Sequence, residues 1–194
     1  MNDARSSLIQ PGSPPHIRIV VGDAVACREP TRLSTLLGSC VSACLFDPVA
    51  GIGGMNHFLL PSSETDPAAS ARYGIHAMEL LINEIMRLGG DRRRLKAKLF
   101  GASSVLDLAA SNVPARNAAF AREFLVTEGI PLVAERLEGD RPLEIHFFTD
   151  TGRALVRTLV SASAIRAEEE RAARVARELA AAPLIGGGVE LWAA

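Results

Sequence analysis

Much of what this chain lacks narrows its function. It has three cysteines, Cys27, Cys40 and Cys44, an odd number that cannot complete a disulfide framework. Free thiols in a reducing cytosol are the default for such a set. Basic residues are not in excess: 21 Lys and Arg stand against 22 Asp and Glu, a formal net charge of -1. That balance argues against a nucleic-acid partner. One basic run, Asp91-Arg92-Arg93-Arg94-Leu95-Lys96-Ala97-Lys98, reads as a solvated turn after a helix rather than a docking patch. No apolar run approaches the ~20 residues needed to cross a bilayer, so membrane insertion is not expected. The opening Met1 to Pro15 is polar and holds three prolines, unlike a secretory signal. A cytoplasmic protein is therefore expected. Internal repeats are also missing.

What is present suits one globular domain: 194 residues, 48% hydrophobic and 22% charged. Residues 1–15 read as a disordered arm, 16–163 as the folded domain, and 164–194 as a C-terminal helix and tail. "HIRIVVGDAVAC" (16–27) is a strand candidate broken at Gly22-Asp23, and "REPTRLS" reads as a loop. Val41 to Phe46 and Gly54 to Leu60 flank "DPVAG", whose Asp-Pro and Gly are hairpin chemistry. After the polar "PSSETDPAASARYG", apolar residues recur at helical spacing from Tyr73 to Leu88: Ile75, Met78, Leu81, Ile82 and Ile85. A strand through "RLKAKLFG", a helix opened by Asn117 and closed by Gly129, and three more strands follow. The mixture of hairpins and helices predicts a mixed-sheet α/β sandwich over a doubly wound parallel sheet. Beyond Ser163 the chain becomes an Ala/Arg/Glu-rich helix with a weak apolar face, which docks late or stays exposed.

The stretch "LGSCVSACLFDPVAGIGGMNHFLLP" (37–61) places polar Cys40 and His57 inside apolar strands. Side chains alternate faces along a strand, so the loop length decides whether the two meet. A two-residue loop sets Cys40 opposite His57, and a four-residue loop at Pro48 to Gly51 sets them diagonally. Both put them on one face, with Cβ atoms roughly 5–8 Å apart, and an odd loop separates them. A thiol beside an imidazole is a nucleophile beside its base, because the thiolate is the attacking species. The imidazole needs a third group to fix its tautomer, and Ser34 and Thr35 lie close by in sequence. The bend at Gly38, Ser39 and Cys40 offers backbone N–H groups to an oxyanion. Plain core packing is the competing reading for Cys40, and the favoured one for Cys44. Metal fits poorly. Cys40, Cys44 and His57 are at most three ligands, and two strand residues four apart are roughly 13 Å from each other. That separation also opposes a Cys40–Cys44 redox pair. His16, His76 and His146 read as a loop residue, a solvated helix residue and a near-surface strand residue.

The segment Thr35 to Pro61, with "LGSCV", "DP" and "GGMNHFLLP" at their spacing, resembles the CheD family of chemoreceptor glutamine deamidases. Weaker resemblance runs on through "RYGIHAMELLINEIMRLG" and "ARNAAFAREFL" to "TGR", and "VELW" looks like tails of some members. The resemblance implies an α/β sandwich with a Cys–His–Thr set, carried by Cys40, His57 and either Thr35 by motif or Ser34 by ungapped count. It implies deamidation of glutamine side chains on methyl-accepting chemotaxis receptors through a Cys40 thioester. Cleavage of glutamyl methyl esters would use the same groups. No cofactor or metal is implied, and a CheC-type phosphatase is a further implied partner. Asn56, Arg116 and Asn117 fall on candidate substrate-side segments. Where relatives have an "FGGA"-like run, this chain has Ala102 and Ser103. The alternative class is a non-catalytic regulatory module that docks on receptors or on the phosphatase.

Overall fold

Among the described residues, side-chain parity along nine strands decides what each of two sheets covers. The computed structural model describes residues 14–60, 67–104, 112–160 and 165–181. Its strands are β1 (His16–Arg18), β2 (Ala24–Cys27), β3 (Arg32–Leu37), β4 (Val41–Asp47), β5 (Ile52–Asn56), β6 (Lys96–Gly101), β7 (Leu132–Leu137), β8 (Leu143–Phe148) and β9 (Ala154–Thr158). The helices are α1 (Pro67–Arg87), α2 (Val113–Thr127) and α3 (Arg166–Ala181). The sheets run β1-β3-β8-β9 and β2-β5-β4-β6-β7. Each is mixed: β1 is parallel to β3 and β6 to β7, while the other neighbours are antiparallel. This is the mixed α/β sandwich that the alternation of elements predicts.

Along β4, Val41, Ala43 and Leu45 face one way and pack with Met78, Leu81, Ile82 and Ile85 of α1 and Ala118, Ala121 and Leu125 of α2. Cys40, Cys44 and Phe46 face the other way and pack with Leu33, Leu37, Ile145 and Phe147 of the four-stranded sheet. The five-stranded sheet is therefore the middle layer, buried on both faces. That explains why all seven residues of β4 are buried and why it reads as a nearly continuous apolar run. Full burial of each large aliphatic side chain here contributes about 1.5–3 kcal/mol.

Several sequence-derived boundaries move. Within "TRLS", Arg32 to Ser34 are not loop but the start of β3, whose buried Leu33, Thr35 and Leu37 alternate toward the core. Helix α1 starts at Pro67, six residues before Tyr73, and Ile75 is 46% exposed rather than part of its buried stripe. Helix α2 starts at Val113 with Pro114 in its first turn, so Asn117 is an interior residue and not the cap. Strand β5 ends at Asn56, which leaves His57 just beyond it, and His16 lies in β1 instead of a loop. The arginines of the basic run are engaged: Arg92 with Glu79 and Glu128, Arg93 with Asp91, Arg94 with Asp47 and Asp91. Helix α3 docks. Ala172 is buried in the cluster between the sheets and Val175 packs against it. Most of the N-terminal arm and the "VELW" tail lie outside the described residues.

Candidate active site

The β4–β5 hairpin sets the geometry. Cys44 pairs with Met55, Leu45 with Gly54, Phe46 with Gly53 and Asp47 with Ile52, which is the four-residue loop. Asp47 Oδ1 accepts from Val49 N at 2.9 Å and Ala50 N at 3.1 Å, and Gly51 takes φ +65°, a left-handed turn position that favours glycine. Val41 and Phe58 exchange backbone hydrogen bonds in the same register beyond the end of β5. Ser42 thus lies opposite His57, and Cys40 is diagonal to His57 on the same face, the one turned toward the four-stranded sheet.

His57 is held from both sides. Its N–H donates to Asp23 O at 3.0 Å and its carbonyl accepts from Gly22 N at 2.8 Å. The turn between β1 and β2 therefore pins the residue that follows β5. From the opposite sheet, Thr35 Oγ1 lies 2.9 Å from His57 Nδ1 and donates its own hydrogen to Ile19 O at 2.8 Å. A hydroxyl has one hydrogen, so Oγ1 can only accept from Nδ1–H. The ring is consequently the Nδ1–H tautomer, with the lone pair on Nε2. Nε2 is buried and has no hydrogen-bond partner among the described residues. Burial, reinforced by the Arg18 guanidinium, pushes the pKa of His57 down to about 3. The resting ring is neutral, the form that can accept a proton.

The bend before β4 is fixed through its carbonyls. Gly38 O accepts from Ser103 N at 2.7 Å, Ser39 O from Asn117 Nδ2 at 3.0 Å and Cys40 O from Ala102 N at 2.7 Å. Gly101, at φ +108°, lets β6 pass so close that a Cβ there would sit 2.2 Å from Cys40 O. Ala102 takes φ 50°, a left-handed conformation that favours the glycine expected from the resemblance. Tyr73 of α1 lies within electrostatic reach of Cys40; burial and then the thiol push its own pKa up. Cys40 and His57 are each 1% exposed, so the site is closed.

The remaining candidates separate. Ser34 faces away from His57, and its Oγ is 2.7 Å from His16 Nε2. Asn56 turns to the helical layer, accepting from Ala43 N at 2.9 Å and donating to Ala77 O at 3.0 Å. Arg116 Nη2 donates to Ser70 Oγ at 3.3 Å. Asn117, fully buried, joins the bend before β4 to the chain after His57, because its Oδ1 also accepts from Leu60 N at 2.9 Å. Burial drives the Cys44 thiol well above its usual range, which makes it inert. Among the described residues no cluster of three His, Cys, Asp or Glu is placed to hold a metal. Sequence reasoning missed Glu168 of α3, whose Oε1 is 3.9 Å from His57 Nδ1. Its only sequence signal is helical spacing with Ile165 and Ala172, both buried.

The chain is similar to proteins from several bacteria. It is 48% identical to "Probable chemoreceptor glutamine deamidase CheD" of Stenotrophomonas maltophilia (strain R551-3) over 191 residues, 98% of this chain and 92% of that one. It is 49% identical to the protein of that name in Xanthomonas campestris pv. campestris (strain B100), over 84% of this chain and 82% of the relative. For the Burkholderia vietnamiensis relative the identity is 44%, over 93% and 75%. The family model for CheD chemotactic sensory transduction matches residues 59–158, which begins just after His57. The longest of these alignments spans Cys40 and His57 as well. On matched length and identity together, the chain belongs to the CheD family.

Proposed function

We propose that this protein deamidates glutamine side chains on chemoreceptors, with Cys40 as nucleophile. The observation that carries the reading is the Thr35–His57 hydrogen bond, which leaves the Nε2 lone pair as the one ring atom able to take a proton. His57 removes the Cys40 proton and the thiolate attacks the carboxamide carbon. N–H groups of the Gly38–Cys40 bend stabilise the oxyanion, in an orientation that the three anchored carbonyls fix. His57 returns the proton to the departing ammonia. Water, deprotonated by His57, then cleaves the thioester, leaving glutamate and the free thiol. A glutamyl methyl ester reacts by the same steps, with methanol as the leaving group. Cys40 and His57 are each 1% exposed and Nε2 has no hydrogen-bond partner among the described residues, so the Sγ–Nε2 proton transfer belongs to the substrate complex. Catalytic hydrogen bonds of this kind commonly tighten only in the substrate complex.

Receptors are the partners this reading calls for, a CheC-type phosphatase is a further one, and the cytoplasm is where this protein meets them. Mass spectrometry of receptor peptides after incubation is the test. The wild type adds about one mass unit at specific glutamines and Cys40→Ala adds none. A gain that persists in Cys40→Ala, or no gain with any receptor of the host, overturns the proposal.

A further inference from the structure

Ile165, Glu168, Ala172 and Val175 share one helical face, and it is the face α3 turns to the inter-sheet cluster. Glu168 is the charged member of that stripe, and it is 9% exposed. Its carboxylate stands at a junction of three elements. Oε1 accepts from Val21 N at 3.4 Å, in the turn that pins the His57 backbone. The same oxygen is 3.9 Å from His57 Nδ1, too long for a hydrogen bond and short enough for a strong charge interaction. Oε2 is 3.8 Å from Arg18 Nη2. A carboxylate is costly to bury beside a neutral ring. It is compensated when the ring carries a proton.

We propose that Glu168 is a positioning residue for His57: its carboxylate stabilises the imidazolium that forms when the ring takes the Cys40 proton. Arg18 opposes it, neutralising Glu168 and disfavouring charge on the ring. Other groups face the ring without this role. Thr35 supplies the neutral acceptor from β3, and the Asp23 carboxylate is turned back to Val20 N at 3.0 Å. Cys40 is the proton donor, and Tyr73 of α1 lies within electrostatic reach of Cys40. The family model ends at Thr158, so this charge comes from beyond the segment it matches. The inference rests on the deamidase reading for its purpose and on these distances for its geometry.

Glu168→Gln keeps the shape and an acceptor for Val21 N–H and removes the charge. Arg18→Met removes the opposing cation from a side chain that is 57% exposed. Iodoacetamide alkylation of Cys40, located by peptide mapping and followed against pH, reads the thiol–imidazole pair without any receptor. At pH 7 the rate falls about tenfold in Glu168→Gln and rises in Arg18→Met, as the profiles move about one pH unit in opposite directions. Deamidation kcat follows the same order with KM unchanged. Where the closed site shields Cys40 from the reagent, the 15N shifts of the His57 ring report the change: its titration moves to lower pH in Glu168→Gln and to higher pH in Arg18→Met. Should Glu168→Gln fail to fold, Glu168→Asp decides: it keeps the charge but draws it back from the ring, so the rate falls by less than tenfold, and a rate equal to that of the wild type overturns the proposal. Profiles that coincide with the wild type, or that both move the same way, overturn the proposal. Opposite shifts in a protein that deamidates no receptor would overturn the deamidase reading and leave this inference standing.

Discussion

Thr35 decides which nitrogen of His57 is available. Its hydroxyl is committed to Ile19 O, so it can only receive the Nδ1 hydrogen. Thr35→Val keeps the volume and removes both interactions. The ring is then free to flip tautomer, and kcat for deamidation falls about 10²-fold or more. The same change leaves a buried carbonyl unpaired and costs about 1–3 kcal/mol in stability. Ser34→Ala loses only the contact to His16, and its kcat stays close to the parent value. Steady-state rates on a receptor substrate check both. Equal losses in the two variants would reject the assignment of Thr35.

At the scale of elements, the end of β6 and the bend before β4 are one unit. Gly101 admits the backbone contact that holds Cys40. Gly101→Ala puts a methyl into the Cys40 carbonyl and strains a left-handed residue, so the bend must move. Loss of deamidase activity and a stability drop of about 2 kcal/mol or more are expected, read by assay and urea unfolding. This scale also shows what the sequence makes legible. The shared face of Cys40 and His57 follows from strand period two and from turn chemistry at Asp47-Pro48. Which even register forms does not follow, because Asp47 is fixed in part by Arg94 and Asp91, more than forty residues away. Strand β3 carries the alternation Leu33, Thr35, Leu37, but Pro30 and the intervening polar residues read as loop. Asn117 looks like a helix cap by type, whereas its side chain serves two other segments. Glu168 is one of three consecutive glutamates, and only the docking of α3 distinguishes it from its neighbours.

Across the whole molecule, Asp47 joins the β4–β5 turn to the segment after α1. Burial alone would raise its pKa. The Arg94 guanidinium and the amides of Asp91, Ala50 and Val49 outweigh that and hold the carboxyl far below the usual range. The folded value is thus depressed below the unfolded value near 3.9. Its stabilisation is present above that pH and is lost as pH falls through the folded value. Asp47→Asn costs about 2–4 kcal/mol at pH 7, and the gap to the parent narrows as the solution is acidified below about pH 4. Urea midpoints at the two pH values measure it. His57 adds an earlier loss. The folded ring stays neutral down to about pH 3, while the unfolded one takes a proton near 6.5, so stability also declines across that interval.

Thr35 hangs from one sheet, whereas Cys40 and the ring of His57 hang from the other. Sliding the two layers of the sandwich past each other by an ångström would leave every strand intact and yet part the Thr35 hydroxyl from the His57 ring. Side chains such as Leu37 and Phe147, buried between the two sheets, therefore act as alignment pins, and the hydrogen bond is a gauge of how well the layers are seated.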